Sequence, residues 1–138
     1  MRVFVDSDVV ISALLSSTGA AYILLHQSQI KPIISSISFV ELRRVAKRLD
    51  IDTQKLQVLI KERFEVVKVA KEVGDMKQEY GKYVTDVHDA HIAAGAHAVA
   101  VKYLLSYNLK HFKTDKIKDE LDVLILTPAL FLQFLRSQ

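Results

Sequence analysis

Two aspartates, Asp6 and Asp8, directly follow the first β-rich run of the chain, Arg2 to Val5. A helix-compatible run, Val9 to Leu15, begins immediately after them. In open α/β sheets, ligands bind in the crevice beyond the carboxyl ends of the strands, and Asp6 stands at such an end. Two acids with no basic residue beside them need a counter-charge, and hard divalent cations bind carboxylate oxygens well. The opening residues therefore predict a cation site.

The two aspartates differ in the structural roles that are open to them. Asp8 directly precedes the apolar helical run, so we expect it to cap that helix, with a second role near the cation. Asp6 is left without a structural role of its own. Asp6 is therefore the stronger candidate for a metal ligand.

Glu41 lies in the segment Ser38-Phe39-Val40-Glu41, which has two interpretations. The first is an S-x-x-E capping box, in which Ser38 caps a helix and the glutamate side chain returns to the N-cap amide. The second rests on position, because the segment follows a strand-like run, Lys31 to Ser35. Its first helical turn would then lie at the same sheet edge as Asp6, and the sequence leaves both interpretations open.

A third acidic group precedes an alanine-rich run, Ala90 to Ala100. Asp86 is expected to cap this helix and Asp89 to lie in its first turn, where the helix dipole favours both. The small residues beyond Asp89 predict tight packing, which places this carboxylate at the mouth of a confined space. His88 and His91 could share a metal, but no H-E-x-x-H or paired-ligand spacing accompanies them.

Other polar residues could orient a substrate. Ser106 and Asn108 follow a buried strand-like run and are ordinary turn residues there, yet both could bind a phosphate or a metal-bound water. A basic run, residues 43–48, follows Glu41 on the same predicted helix. Such runs usually face solvent, but Arg44 starts close to the acidic residues and could position a phosphate backbone.

Strand-like runs alternate with helical patterns along the whole chain. These runs are Arg2–Val5, Lys31–Ser35, Glu65–Val69, Tyr103–Ser106 and Val123–Leu126. The alternation predicts a single α/β domain spanning residues 1–138, with a central, mostly parallel sheet flanked by helices on both faces. Thr127 and Pro128 are predicted to begin a last helix.

Composition narrows the class of protein. The chain has 138 residues, half of them apolar, which is enough for one domain with a core. It has no cysteine, which excludes disulfides, thiolate metal sites and a cysteine nucleophile. We expect a cytoplasmic protein, because no signal peptide is visible and no apolar run could cross a membrane. The net charge of +3 is compatible with a nucleic-acid partner without requiring one.

In order and spacing, these motifs resemble those of the PIN-domain nucleases. That family opens with a strand, an aspartate, a serine or threonine and usually an asparagine, as in VFVDSDVVISALL. It continues with a serine-to-glutamate-leucine helix (SSISFVELRRV), the motif D-A-x-I-A-A (DAHIAA) and a strand ending in Thr/Ser-x-Asp/Asn (LLSYNLKHF). The resemblance runs from residue 1 to about residue 112. Asp8 replaces the commoner asparagine, and Asn108 stands where many members have a fourth aspartate.

The resemblance implies a ribonuclease that depends on Mg²⁺ or Mn²⁺. The catalytic residues, which would hold the cation directly or through water, are Asp6, Glu41 and Asp89. Asn108 would weaken one metal site, and the extra acids that would compensate as ligands are Asp8 and Asp86. The residues that would orient the phosphate or the water are Ser7, Ser106 and Asn108. Many small members are toxins of toxin–antitoxin pairs of the VapC kind, which implies RNA as substrate, an antitoxin partner and a homodimer.

Two other functions fit part of the pattern. A strand followed by D-x-D also opens haloacid-dehalogenase-type phosphatases, in which Asp6 would be the nucleophile and Asp8 the general acid. That class needs a late acidic pair after another strand, and YLLSYNLKHF contains none. The other alternative is a non-catalytic PIN-like module that binds RNA or protein without cutting, which Asn108 favours.

Overall fold

The computed structural model describes all residues from 1 to 138 and is built on a five-stranded sheet. Its strands are β1 (Arg2–Val5), β2 (Lys31–Ser35), β3 (Glu65–Val67), β4 (Tyr103–Leu105) and β5 (Leu124–Leu126). The strand order is β3-β2-β1-β4-β5, and every neighbouring pair is parallel. The predicted α/β class is confirmed, and the sheet is wholly parallel.

Eight α-helices accompany the strands. They are α1 (Ser7–Leu15), α2 (Ala20–Leu25), α3 (Ser36–Arg48), α4 (Thr53–Arg63), α5 (Val73–Tyr80), α6 (Ala90–Ala98), α7 (Thr114–Leu121) and α8 (Pro128–Arg136). Thr127 caps α8 as predicted, and its hydroxyl accepts a hydrogen bond from the Leu130 amide at 3.3 Å. No helix combines the length and the apolar character that crossing a bilayer would require.

Helices cover both faces of the sheet, and β1 shows how. Val3 and Val5 belong to one apolar cluster, which contains buried residues of α1, α2, α3, α4 and α8. Phe4 points the other way, into a second cluster with residues of α5, α6 and α7. A strand that is buried on both faces has a continuous apolar sequence, and Val3-Phe4-Val5 is such a run.

Gly95 lets α6 pack very close to the sheet. A Cβ atom at this position would lie 2.5 Å from Cζ of Phe4, whose side chain is fully buried. The neighbouring residues of α6 are mostly alanines, and they are buried as well. This close approach brings the start of α6, and with it Asp89, towards the end of β1.

The strand order creates a crevice at the end of β1. The chain passes from β1 to β2 on one side and later returns to β4 on the other side. Ligand sites in open parallel sheets lie at this kind of switch point, beyond the carboxyl ends of the strands. The Asp6 amide extends the pairing of β1 with β4 by donating to the Leu105 carbonyl at 2.9 Å. Asp6 therefore enters the crevice directly from the sheet.

Candidate active site at the carboxyl edge of the sheet

Asp6 caps α1, and its two carboxylate oxygens are both held. Oδ1 accepts a hydrogen bond from the Ser7 amide at 2.7 Å, and Oδ2 accepts one from the Ser106 hydroxyl at 2.9 Å. The prediction that Asp8 caps this helix is wrong, because α1 already begins at Ser7 and an N-cap residue needs the extended backbone that Asp6 has. Burial, followed by the nearby charge of Asp8, raises the pKa of Asp6 to about 7.

Asp8 binds the turn after β4. Its Oδ2 accepts hydrogen bonds from the Tyr107 amide at 3.2 Å and from Nδ2 of Asn108 at 2.9 Å. Its Oδ1 is buried and has no hydrogen-bond partner. Burial raises the pKa of Asp8, while the hydrogen bonds act in the opposite direction. A buried carboxylate oxygen without a partner is unfavourable, so Oδ1 is available to a cation or to a water bound to one.

Ser106 and Asn108 orient the two aspartates. Ser106 is fully buried, and its hydroxyl donates to Asp6 while accepting a hydrogen bond from the Asn108 amide at 3.1 Å. The side chain of Asn108 binds Asp8 at the same time. The turn after β4 therefore fixes the start of α1. Contact of either residue with a phosphate stays a prediction, as it does for Ser7.

Glu41 does not belong to a capping box. The N-cap of α3 is Ser35, whose hydroxyl accepts a hydrogen bond from the Ser38 amide at 3.1 Å. The box interpretation is wrong because β2 passes directly into α3, so Ser38 already lies inside the helix and Glu41 lies one turn further on. Oε1 of Glu41 instead lies 3.2 Å from Nε2 of His91.

His91 on α6 is the group that holds Glu41. Its side chain is only 7% exposed, and its Nδ1 is buried without a partner. The hydrogen bond from His91 is the main cause that lowers the pKa of Glu41. Glu41 is thus kept ionised, whereas Asp6 is pushed towards its protonated form. His88 is exposed, and no set of three His, Asp or Glu side chains that includes it could hold a metal ion.

Asp89 ends a 3₁₀ turn, Val87–Asp89, that leads into α6. Asp86 caps this turn, as its Oδ1 accepts a hydrogen bond from the His88 amide at 3.0 Å. The side chain of Asp89 makes no capping bond, and its Oδ2 lies 3.6 Å from Nδ1 of His111. Burial raises the pKa of Asp89, while the proximity of His111 opposes that rise. Asp86 itself is exposed, and a role for it as a ligand stays a prediction.

The negative charges of these acids raise one another's pKa values. The charge of Asp89 contributes to the raised pKa of Asp6, and that of Glu41 to the raised pKa of Asp89. Even so, no three His, Asp or Glu side chains are arranged to hold one metal ion directly.

The donor set still fits a hydrated Mg²⁺ or Mn²⁺. All the acids offer oxygen, and next to Asp6 two further buried oxygens lack partners, Oγ of Ser7 and Oδ1 of Asp8. Mg²⁺ usually keeps several waters and binds only one or two protein carboxylates. The site therefore suits a cation bound partly through water.

Arg44 lines a cavity beside the acids. This cavity, of about 430 Å³, is also lined by Glu41, His88, His91 and Lys77. The positive charge of Arg44 contributes to the lowered pKa of Glu41. Arg44 is exposed and free of any ion pair, so it is open to an anionic ligand; contact with a substrate stays a prediction.

Comparisons with known proteins agree with this geometry. A family model described as a PIN domain matches residues 2–110, a range that contains all four acids and the Ser106–Asn108 turn. Curated protein sequences give no match.

Several solved structures share the fold. One is a toxin–antitoxin complex from Klebsiella pneumoniae, with a TM-score of 0.64 and 20% identity, covering 91% of this chain and 97% of that chain. Another is VapBC2 from Rickettsia felis bound to a promoter DNA fragment, with a TM-score of 0.65 and 18% identity, covering 92% and 98%. A third is FitAcB from Neisseria gonorrhoeae, with a TM-score of 0.61 and 20% identity, covering 92% and 98%.

These similarities separate the chain from the haloacid-dehalogenase-type phosphatases. The solved structures share its fold over almost their whole length. The family model covers most of the chain, including β1 with its two aspartates and β4 with its turn. The chain therefore belongs to the PIN-domain family.

Proposed function

We propose that this protein is an endoribonuclease dependent on Mg²⁺ or Mn²⁺, and that it is the toxin of a toxin–antitoxin pair. One observation carries the proposal. Four carboxylates from three separate parts of the chain, Asp6, Asp8, Glu41 and Asp89, lie near enough to influence the pKa of at least one other acid in the set, and the two at the start of α1 have raised pKa values. Membership of the PIN-domain family supports the same conclusion.

The residues have distinct roles in this proposal. Asp6 and Asp8 would bind the cation directly, and Glu41 and Asp89 would bind it through water. When bound, such a cation lowers the pKa of a ligated water and offsets the charge that builds up on the phosphate. The Ser7 amide and the Ser106 hydroxyl fix the orientation of Asp6, while His91 keeps Glu41 ionised. Hydrolysis would break the bond between phosphorus and the 3′-oxygen, leaving a 3′-hydroxyl and a 5′-phosphate.

The similar structures support the toxin role. Those from Klebsiella pneumoniae and Rickettsia felis are described as a toxin–antitoxin complex and as VapBC2 bound to promoter DNA. We therefore propose a protein antitoxin as partner. A homodimer is proposed as well, on the family resemblance.

The direct test is cleavage of a varied pool of single-stranded RNAs with Mn²⁺ or Mg²⁺, and with EDTA. We expect metal-dependent cleavage that leaves 5′-phosphates. Asp6→Asn should lose at least about 100-fold in rate, because the loss of one charged ligand removes several kcal/mol of transition-state stabilisation. Asp75→Asn, at an exposed acid of α5, is the matched control and should cleave normally. RNA binding without any Asp6-dependent cleavage would favour the non-catalytic module instead.

A further inference from the structure

A groove between α3 and α4 contains basic side chains and no acid. Its volume is about 600 Å³, and the residues that line it are Val40, Arg43, Arg44, Lys47, Thr53 and Gln57. None of its three basic residues takes part in any of the ion pairs of the structure. The groove therefore carries three positive charges that the protein itself does not neutralise.

The helix dipole explains only part of this charge. Lys47 lies in the last turn of α3, where a cation is stabilised by the dipole. Arg43 and Arg44 lie in the middle of the helix, where that effect has faded. Lys47 is four residues after Arg43, a spacing at which like charges repel each other. An anion bound in the groove would relieve this repulsion.

Arg43 is held in place on the groove wall. Its guanidinium lies over the ring of Phe39, 5.2 Å from the ring centroid. A cation–π contact of this kind restrains the side chain and leaves its edge N–H groups free to donate. Such a restrained guanidinium is well suited to a phosphate, which it can bind through two parallel hydrogen bonds.

The groove adjoins the cavity that Glu41 lines. Val40 and Arg44 line both this groove and the cavity that contains Glu41 and His91. Arg44 therefore stands at the junction of the two. A chain that lies in the groove and passes Arg44 would enter the cavity that Glu41 lines.

We infer that the groove between α3 and α4 binds the phosphate backbone of single-stranded RNA on one side of the cleavage point. The inference rests on the proposed function, and it identifies where the substrate lies. Carboxylates repel a phosphodiester, so an enzyme with four of them needs cations elsewhere to attract the substrate. RNA is favoured over a protein partner because Val40 is the only apolar side chain that lines the groove, and protein interfaces have an apolar centre.

The test is binding of a labelled single-stranded RNA pool, measured by fluorescence anisotropy in EDTA between 50 and 200 mM salt, about the range in which such contacts weaken strongly. The double variant Arg43→Gln/Lys47→Gln should bind about 10-fold more weakly at low salt. Its slope of log K against log salt should be less negative by about 1.4, because each neutralised phosphate of a single strand contributes about 0.7. The matched control is Lys102→Gln/Lys118→Gln, which removes two exposed lysines that lie outside α3 and α4 and should bind within about 2-fold of the parent protein.

Each other outcome is decisive. Equal weakening in both double variants would trace the effect to net charge and overturn the inference. Normal RNA binding by the folded groove variant would overturn the inference, and a protein-binding surface would then be the better interpretation of the groove. The binding assay contains no metal and is therefore independent of cleavage. Groove-dependent binding in this assay, together with no metal-dependent cleavage in the RNA cleavage assay, would support the groove and contradict the nuclease.

Discussion

Three of the four carboxylate oxygens of Asp6 and Asp8 have a donor within the protein. The donors come from the start of α1 and from the turn after β4, so the two aspartates are oriented from two sides. The fourth oxygen, Oδ1 of Asp8, is buried and unpartnered. At the scale of single residues, Oδ1 of Asp8 is therefore the one carboxylate oxygen of this pair that no protein donor occupies.

The Asp8 carboxylate accepts a hydrogen bond from the Asn108 amide, and we predict that the two groups can be exchanged between these positions. Asp8→Asn alone removes a charge and leaves two amides in contact, so we expect the affinity for Mn²⁺ to fall at least 10-fold, about 1.4 kcal/mol. The double variant Asp8→Asn/Asn108→Asp restores one acid, one amide and the original charge. It should recover most of the affinity, measured by calorimetry or by electron paramagnetic resonance of Mn²⁺ without RNA.

The single variant Asn108→Asp is the control for this exchange. It replaces the Asn108 amide, whose Nδ2 lies 2.9 Å from Oδ2 of Asp8, with a second carboxylate. The two like charges should lower the melting temperature in EDTA. A double variant that binds Mn²⁺ no better than Asp8→Asn would contradict exchangeability. It would show that the acid is required at position 8 itself.

At the scale of elements, the sequence pattern predicted the strands well, because their bounds depend on the character of neighbouring side chains. β1 and β2 have the predicted bounds, because each is a short apolar run that ends at a polar residue. α7 was not predicted, since it is short and its apolar face consists of only Ile117 and Leu121. The cap at Asp8 was predicted wrongly, and of the two interpretations of Ser38 the capping box is the one that fails. In both places strand and helix join without a loop, so the helix begins earlier than the pattern suggests.

The site could be predicted in its parts but not in its contacts. The sequence indicated Asp6, Glu41 and Asp89 from their positions after strands or before a helix. The contact of Glu41 with His91 joins residues 50 positions apart and depends on where the tertiary fold places α3 and α6. His91 occupies the variable position of the motif D-A-x-I-A-A, and the sequence gave no signal that it would contact Glu41. Pairings of this kind follow from tertiary packing, which periodicity does not encode.

Gly95 provides a prediction at the same scale. Gly95→Ala places a methyl group 2.5 Å from the buried ring of Phe4, so it should lower the free energy of unfolding by about 1–3 kcal/mol despite alanine's higher helix propensity. Gly74→Ala is the matched control, because no atom lies within 4 Å of an added Cβ there. It should leave stability unchanged or raise it by about 0.5 kcal/mol. Urea denaturation measures both, and equal effects would show that α6 can move away from the sheet.

At the scale of the whole molecule, the acidic site makes stability depend on pH. The pKa of Asp6 is raised from 3.8 to about 7, so the folded protein binds its proton more tightly than the unfolded chain does. Stability in EDTA should therefore fall as the pH rises from about 4 to about 7. Asp8 and Asp89 act in the same direction, since burial raises the pKa of each.

Asp6→Asn isolates the contribution of one carboxylate. Near pH 4 the variant and the parent protein should melt at similar temperatures, whereas at pH 8 the variant should be more stable by at most about 4 kcal/mol. Adding Mg²⁺ should narrow the difference, because it stabilises only the ionised parent site. Thermal unfolding followed by circular dichroism measures this, with Asp75→Asn as the control. A gap that does not change with pH would contradict the raised pKa.

The placement of β1 in the middle of the sheet has a consequence for biosynthesis. Asp6 and Asp8 are synthesised before the groups that orient them, from Ser106 to Asn108, which follow about a hundred residues later. A nascent chain therefore carries the acids long before it can arrange them. If the protein is the ribonuclease proposed above, its acidic site stays incomplete until the turn after β4 has been synthesised.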